Sequence, residues 1–452
     1  MPTSADAASV SARIRLELDN AHVAYGTVVF FCTFGGNALR NAIGWWGWAA
    51  AVLVALVVAV TWIVRSGNAP TLLRLPAPLL AFCAFALASA AWAHWPLESL
   101  LGAGVLWTTV LVAFPLGVML SWRELVVALS GALRWIVALS YAFELFVSLV
   151  VRHPVLPVFV DWVTWEDAPL QVMWSRDLLF ETGKIQGIVG NSSVLAGVAA
   201  FGLVALVVQF RAGLLGRGWT ALWVLVLGGT LVLTGSATMA VALAATAVVL
   251  VLVLVRRAVG DRFAPRVIFA AAAVLALAAA ATLTAVFWQQ LLSLFGKSPD
   301  LTGRFEIWRN TIDLAVQRPW FGWGWLGYWP PWVEPLAGLN ERYDVVQLHA
   351  HDAWIDLWMQ VGIVGLAIFA VLVLVTVWRA WRAAITPERD ALTGSHAFSA
   401  LSLLPILVLT LLLVQSITES RLIIEEGVLT LAALAMRMKL RPFRGHAGPG
   451  RS

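Results

Sequence analysis

Uninterrupted apolar runs recur along this chain at the length of a membrane crossing. Ala49–Val64 and Ala237–Val255 contain no charged residue, and a helix crossing the roughly 30 Å hydrocarbon layer needs about 20 apolar residues. On that ruler, spans fall near 22–39, 44–64, 76–95, 99–120, 125–150, 187–209, 219–235, 237–255, 267–288, 353–378, 397–416 and 420–436. Gly35, Gly36 and Asn37 dilute the first of these. Gly235-Ser236 divides the 219–255 pair, for which one long bent helix is the competing reading. The pattern predicts an all-α polytopic membrane protein of about 12 transmembrane helices, with a large outward-facing loop between helices 9 and 10.

Composition changes this picture little. The chain is 61% hydrophobic and 12% charged, against roughly 45–50% and 25% in a soluble domain, which excludes an ordinary soluble fold. A sequence pI near 9.7 would suit nucleic acid, but the basic residues are dispersed over short turns and no nucleic-acid partner is expected. With the N-terminus inside, the cytoplasmic connections carry Arg65, Arg74, Arg123, Arg211, Arg217, Arg256, Arg257, Arg379 and Arg382, and the tail carries Arg437, Lys439, Arg441 and Arg444. The short opposite-side connections hold little beyond Arg40 and Arg421. This positive-inside pattern puts both termini in the cytoplasm and the loops at about 151–186 and 289–352 outside. The first 21 residues lack a separate apolar stretch with a small-residue cleavage site, so no cleavable signal is expected. Cys32 and Cys83 fall within spans, which suggests neither a disulfide nor a cysteine metal site.

The second outward loop is polar and rich in tryptophan. Thr302 is placed to cap a short helix that Pro319 stops after Arg318, with Phe305, Trp308, Ile312 and Val316 on its apolar face. Arg304 and Arg309 lie on this helix. Free N–H groups and the Arg304 guanidinium at one helix end suit an anion such as phosphate, while a surface pair with Asp300 or Glu306 is the plainer alternative. Trp320, Trp323, Trp325, Trp329 and Trp332 follow, interleaved with glycine and proline. They read either as an interfacial anchor or as a platform for sugar or lipid.

His349, His351 and Asp352 stand just before the next span. A histidine titrates near neutrality and suits a proton acceptor; His351 takes that reading, while His349 reads as an interfacial residue at the rim. Asp352 and Asp356, one helical turn apart, are expected to face one aqueous vestibule. No further ligand is spaced beside the histidines, so no metal site is expected. In the first outward loop, Arg176 and Lys184 are candidates for an anion among balanced charges that include Asp161 and Glu181. Glu419 and Arg421 precede the last span as a mouth-lining pair, and Glu425 and Glu426 follow at its rim, where carboxylates are costly and functional by default.

At these positions the chain resembles the O-antigen ligase and Wzy-type polysaccharide polymerase superfamily. The matching pieces are Thr302-Gly303-Arg304 with Ile307-Trp308, then Pro319 with Gly322 and Gly324, then His351-Asp352 with Gly362 and Gly365. Gly187 to Asn191 and Thr418-Glu419-Ser420 extend the ordered set over about residues 180–436. The resemblance implies a metal-independent, inverting glycosyltransferase with no cofactor. Its donor is expected to be a lipid-linked oligosaccharide on an undecaprenyl-type diphosphate, with a glycan acceptor. Arg304 would bind the diphosphate and His351 would be the base. The family generally has Asn where Asp352 stands, and often an arginine where Ala237 follows Ser236, so Arg176, Arg309 or Arg421 would have to take the second arginine's place.

The expected organisation is a cytoplasmic segment at 1–21, a single transmembrane catalytic domain at 22–436 and a basic tail at 437–452. Substrate contacts are expected from Arg304, Trp308, Arg309, Arg176, Lys184, Trp323, Trp325, His349, Glu419 and Arg421, with His351, Arg304 and Asp352 catalytic. Membrane lipids and other polysaccharide assembly proteins are the remaining expected partners. Alanine-rich, arginine-over-lysine wording similar to high-GC actinobacterial members favours polymerisation of an exopolysaccharide or cell-wall glycan over O-antigen ligation. A flippase or exporter of the same lipid is the alternative, for which Arg134 and Glu144 in the fifth span are the nearest charged candidates.

Overall fold

Five of the described helices start where a short polar side chain satisfies free N–H groups of the first turn. The computed structural model describes residues 19–160, 164–181, 183–260, 304–337, 339, 341–342, 345–389 and 396–443. Its helices are α1 (Asn20–Phe34), α2 (Gly36–Arg65), α3 (Ala77–Ala88), α4 (Pro96–Phe114), α5 (Trp122–Phe146), α6 (Ser192–Arg211), α7 (Arg217–Thr234), α8 (Ala237–Val259), α9 (Arg304–Gln317), α10 (Ala353–Ile385), α11 (Leu404–Gln415) and α12 (Glu425–Leu440). Asp19 caps α1, Asn191 caps α6 and Asp352 caps α10, each accepting from two amides of the turn it opens. Ser121 and Glu124 form a reciprocal capping box on α5. Short antiparallel hairpins pair Glu341–Arg342 with Val345–Val346 and Glu388–Arg389 with His396–Ala397.

Seven helices among the described residues are long and apolar enough to cross a membrane: α2, α4 continued to Met119, α5 continued to Val151, α6, α7, α8 and α10. The expectation of about 12 spans is corrected accordingly. The stretch at 267–288 lies outside the described residues. Those near 22–39, 76–95, 397–416 and 420–436 form shorter helices, because Gly35 ends α1 and because Ser420–Ile423 makes a separate tight turn before α12. The 219–255 pair is two helices. Gly235 closes α7 at φ +55°, and the Ser236 hydroxyl accepts from the Met239 amide to open α8.

Two of the long helices are broken by a glycine that apolar counting cannot see. Gly44 in α2 and Gly362 in α10 adopt nearly the same non-helical backbone, at φ +71° and +65° with ψ close to 180°. Each break cuts off a short first half, residues 36–43 and 353–361, that carries polar side chains. At Gly362 the backbone of Trp320 comes so close that a Cβ would stand 2.3 Å from its carbonyl carbon.

The core forms where small residues let helices approach. Helix α5 lies between α1 and α6, α8 packs on α11, and α12 packs on α4. Gly26 brings α1 onto α5, where a Cβ would meet Ala128 at 2.8 Å, and Gly117 brings the chain after α4 onto α12 against the Ala433 carbonyl. Replacement of Gly362 by alanine should cost well above the roughly 1–2 kcal/mol of a left-handed L-residue, because the added carbon also overlaps Trp320. Gly327→Ala, at φ +76° with open space around it, should cost only that backbone term. Thermal unfolding of the two variants in detergent separates the effects; equal losses would show that the Trp320 contact yields.

Candidate functional site

The first half of α10 is held by two fully buried polar side chains, Asp356 and Gln360. Asp356 accepts from four donors: Trp329 Nε1 (2.9 Å), Gln360 Nε2 (2.7 Å), the Ala350 amide (3.2 Å) and Ser420 Oγ (2.7 Å). Gln360 Oε1 in turn accepts from the amides of Leu326 and Gly327. These bonds tie the tryptophan loop, the histidine segment and the turn before α12 to one helix face. Asp356 therefore does not line an aqueous vestibule, as its spacing from Asp352 suggested. Asp352 accepts from the Trp354 and Ile355 amides as a helix cap, and burial pushes its carboxyl up despite those bonds.

Next to these anchors, residues from three distant segments meet. Arg304, at the start of α9, donates to Glu419 Oε1 at 2.8 Å. His351 Nδ1 faces Glu419 Oε2 at 3.1 Å, and its Nε2 faces Gln347 Oε1 at 3.0 Å. The His351 amide donates to His349 Nδ1 at 3.1 Å, and the two imidazoles lie 4.2 Å apart. His351 holds its backbone at φ +54°, an uncommon conformation for a side-chain-bearing residue that recurs at functional sites. Burial alone would raise the Glu419 carboxyl, but His351 and Arg304 outweigh it and hold this group well below the usual carboxylate range. Burial, and then the charge of His351, hold His349 well below the ordinary imidazole range. The ligand atoms of His349, His351 and Glu419 lie within 4.8 Å of one another, so these three could hold a metal. Histidine spacing alone did not reveal the third ligand, which the fold brings from beyond α11.

A second charged group stands beside the first. Arg40, on the short first half of α2, pairs with Glu425, and Arg421 pairs with Glu425 and with Glu426. Arg40, Arg421 and Glu426 are buried, and the Glu425 side chain is only 7% exposed. Arg40 also lies over Trp45 and Trp48, and 5.8 Å from the ring of Tyr328. On its other side the Tyr328 ring is 6.3 Å from that of His349. Tyr328 and Glu425 border an almost wholly apolar cavity of about 310 Å³ between α2, α4, α12 and the tryptophan loop, with Trp48, Val105 and Val112 among its walls.

The remaining candidates disperse. Arg421 is committed to its carboxylates rather than free for an anion. Arg176 donates to the Leu170 carbonyl of its own loop, and burial pulls its guanidinium down. Lys184 lies across the turn between α7 and α8, its Cε 3.1 Å from where a Cβ on Gly235 would stand. Thr238, just beyond that turn, is 3.2 Å from Thr418, hydroxyl to hydroxyl. Arg309 is exposed on α9. Trp308 Nε1 is buried with no partner among the described residues. Trp325 is buried against Phe82, and Trp323 stacks on Trp95 beneath Arg318, so both are packing residues here. The buried face of α9 is Ile307, Thr311, Leu314 and Ala315. Phe305 and Val316, expected on that face, are exposed, because the buried stripe runs about one residue earlier, through Ile307, Thr311 and Ala315. Asp161 lies outside the described residues.

Residues 220–370 match the family described as O-Antigen ligase, a stretch that takes in α7, Arg304, the histidine segment and the break at Gly362. Exopolysaccharide production protein ExoQ of Rhizobium meliloti (strain 1021) is 28% identical over 129 residues, which is 28% of this chain and 30% of that protein. The match thus spans less than a third of the relative's length. With seven helices among the described residues long and apolar enough to cross a membrane, the architecture is that of a multi-pass membrane protein. The similarity to the O-antigen ligase family covers 151 of the 452 residues, about one third of the chain.

The bonds described here separate support from chemistry. Asp356→Ala should lower stability by roughly 3–5 kcal/mol, since several buried donors lose their acceptor. Asp352→Ala should cost only about 1 kcal/mol, as a lost cap does, and should leave turnover close to wild type. Melting temperatures read beside activity test both; a large loss of turnover in Asp352→Ala would return that residue to the chemistry.

Acid should also destabilise the site in two stages. An imidazole kept neutral by the fold loses stability as pH falls below its unfolded value of about 6.5, and a depressed carboxyl does so below about 4.3. His349→Gln should remove the upper stage and Glu419→Gln the lower, read as melting temperature against pH. An upper stage that persists in His349→Gln would assign it to another group.

Proposed function

We propose that this protein transfers or polymerises glycan from an undecaprenyl-diphosphate-linked donor to a sugar hydroxyl at the outer face of the cytoplasmic membrane. The reaction is inverting and uses no metal. The observation that carries the reading is the junction of Arg304, Glu419 and His351, a phosphate-binding cation and an imidazole sharing one carboxylate. Residue by residue, these are the positions that resemble the family's diphosphate ligand and base. The matching relative's name, an exopolysaccharide production protein, supports polymerisation over ligation to an O-antigen acceptor.

In this mechanism Glu419 accepts from His351 Nδ1–H and so leaves the lone pair on Nε2. The acceptor hydroxyl displaces Gln347 from Nε2, and His351 takes its proton as the oxygen attacks the anomeric carbon from the face opposite the diphosphate. Arg304 moves from Glu419 to the leaving phosphates and stabilises the charge that develops there. Lys184 supplies the second cation that Ala237 cannot, from across the Gly235 turn. Trp308 Nε1 offers a further donor. The isoprenoid chain lies in the apolar cavity, whose head at Tyr328 adjoins His349. In this reading the arginine-bearing turns face the cytoplasm, with both termini, and the chain from 22 to 436 acts as one catalytic domain completed by spans shorter than the seven.

Transport is the less supported reading. Glu144, its nearest in-span carboxylate, accepts from Ser175 Oγ and from the Gln186 and Gly187 amides, which anchors the first loop. Arg134 donates to the Ser130 carbonyl of its own helix and lies near Trp223.

A fluorescent lipid-linked oligosaccharide in proteoliposomes tests the proposal, with chain lengthening or transfer as the readout. Arg304→Ala should lower both donor affinity and turnover, and Arg304→Lys should rescue poorly because an ammonium lacks the planar fork. His351→Ala should keep donor binding while turnover drops at least about 10²-fold. Lys184→Ala should weaken donor binding chiefly. Absence of transfer by wild type with the cognate donor and acceptor, alongside intact lipid flipping, would replace this reading with transport.

A further inference from the structure

We propose that His349, His351 and Glu419 form a dissociable binding site for a zinc-class metal ion, and that filling it blocks proton transfer at His351. The binding part rests on the geometry of the three side chains; the inhibition rests on the glycosyl-transfer reading above. Two imidazoles and one carboxylate are the ligand set of a common zinc centre with an open fourth position. Here their ligand atoms lie within 4.8 Å of one another, against about 3.4 Å between two ligands on a tetrahedral zinc ion. Small side-chain rotations close that gap. The cluster is partly open, with His351 at 21% and Glu419 at 15% side-chain exposure, so an ion can reach it.

An outer-shell partner is already in place. A metal on His351 Nδ1 replaces the proton now shared with Glu419, and the ring's one proton is then carried on Nε2. There Gln347 Oε1, 3.0 Å away, accepts it, the arrangement that fixes metal-bound imidazoles. Nitrogen ligands select Zn²⁺, Co²⁺ or Ni²⁺ over Mg²⁺ and Ca²⁺, which favour all-oxygen sites.

Two costs make the site dissociable rather than permanent. The ion must displace Arg304 from Glu419, 2.8 Å away. It also breaks the bond from the His351 amide to His349 Nδ1, because ligation at Nε2 instead would put a proton on Nδ1, facing that amide. Once bound, the metal holds His351 and Glu419 together and removes the carboxylate that orients the base.

The test titrates purified, chelator-treated, full-length protein with Co²⁺ and reads its visible d–d absorption. One Co²⁺ per chain should bind with a low-coordination spectrum, and Zn²⁺ should displace it. His349→Ala and Glu419→Gln should abolish the band. Arg304→Ala should tighten binding by at least about tenfold, since the competing cation is gone, and a gain of binding cannot arise from misfolding. Zn²⁺ should then inhibit glycan transfer over the concentration range in which it displaces Co²⁺, with recovery on chelation. No band, or a band unchanged in His349→Ala, overturns the site. Faster transfer with metal overturns the inhibition and would make the ion a cofactor. The spectra report on the site even if no donor supports transfer, so the two proposals fail separately.

Discussion

The arrangement of this protein's polar end depends on satisfying one buried carboxylate. Asp356 is inaccessible and would be costly in an apolar interior without partners. Four donors from α10, the tryptophan loop, the histidine segment and the turn before α12 meet that need. Two of those donors are chain neighbours of the clustered side chains: Ala350 stands between His349 and His351, and Ser420 follows Glu419. Fixing the donors therefore fixes the cluster. Gln360, one turn further along, does the same for the loop at Leu326 and Gly327.

What results is a carboxylate with two claimants. Glu419 accepts from Arg304 on one oxygen and faces His351 with the other. Any anion that draws Arg304 away leaves Glu419 to the imidazole alone, and any cation that takes Glu419 releases Arg304. In the proposed mechanism, ligand binding and base strength are thus linked through a single side chain. The neighbouring group of Arg40, Arg421, Glu425 and Glu426 is closed on itself, so its role is to hold α2 against α12 beside the cavity.

Much of this was legible along the chain, and the parts that were not have physical reasons. Apolar run length located the long helices but overcounted full crossings, because a run cannot show where Gly35 or the Ser420 turn ends a helix. Arg304, His351 and Glu419 could each be picked out by type and position. Their meeting could not, since Glu419 lies 68 residues beyond His351 and pattern reading carries no distance. Arg40 and Glu425 likewise stood out singly, one as a lone outward arginine and the other as a carboxylate at a span. Asp352 and Asp356 looked alike in spacing yet differ in role, because one opens the helix and the other turns into a dry interior. Tryptophan content promised a platform, but packing claimed Trp325 and Trp329.

The glycine breaks at Gly44 and Gly362 divide each of two helices between two solvents. Beyond the break, exposed positions such as Val57, Leu374 and Trp378 answer mainly to lipid, which accepts one apolar side chain for another with little consequence. Before it, eight or nine residues answer to hydrogen-bond partners such as Asp356's donors or Arg40's carboxylate, for which few substitutes exist. Each broken helix therefore carries two rates of permissible change. Sequence drift in this protein should concentrate after its two glycines, leaving short, slowly changing segments ahead of them as the heritable record of what the site binds.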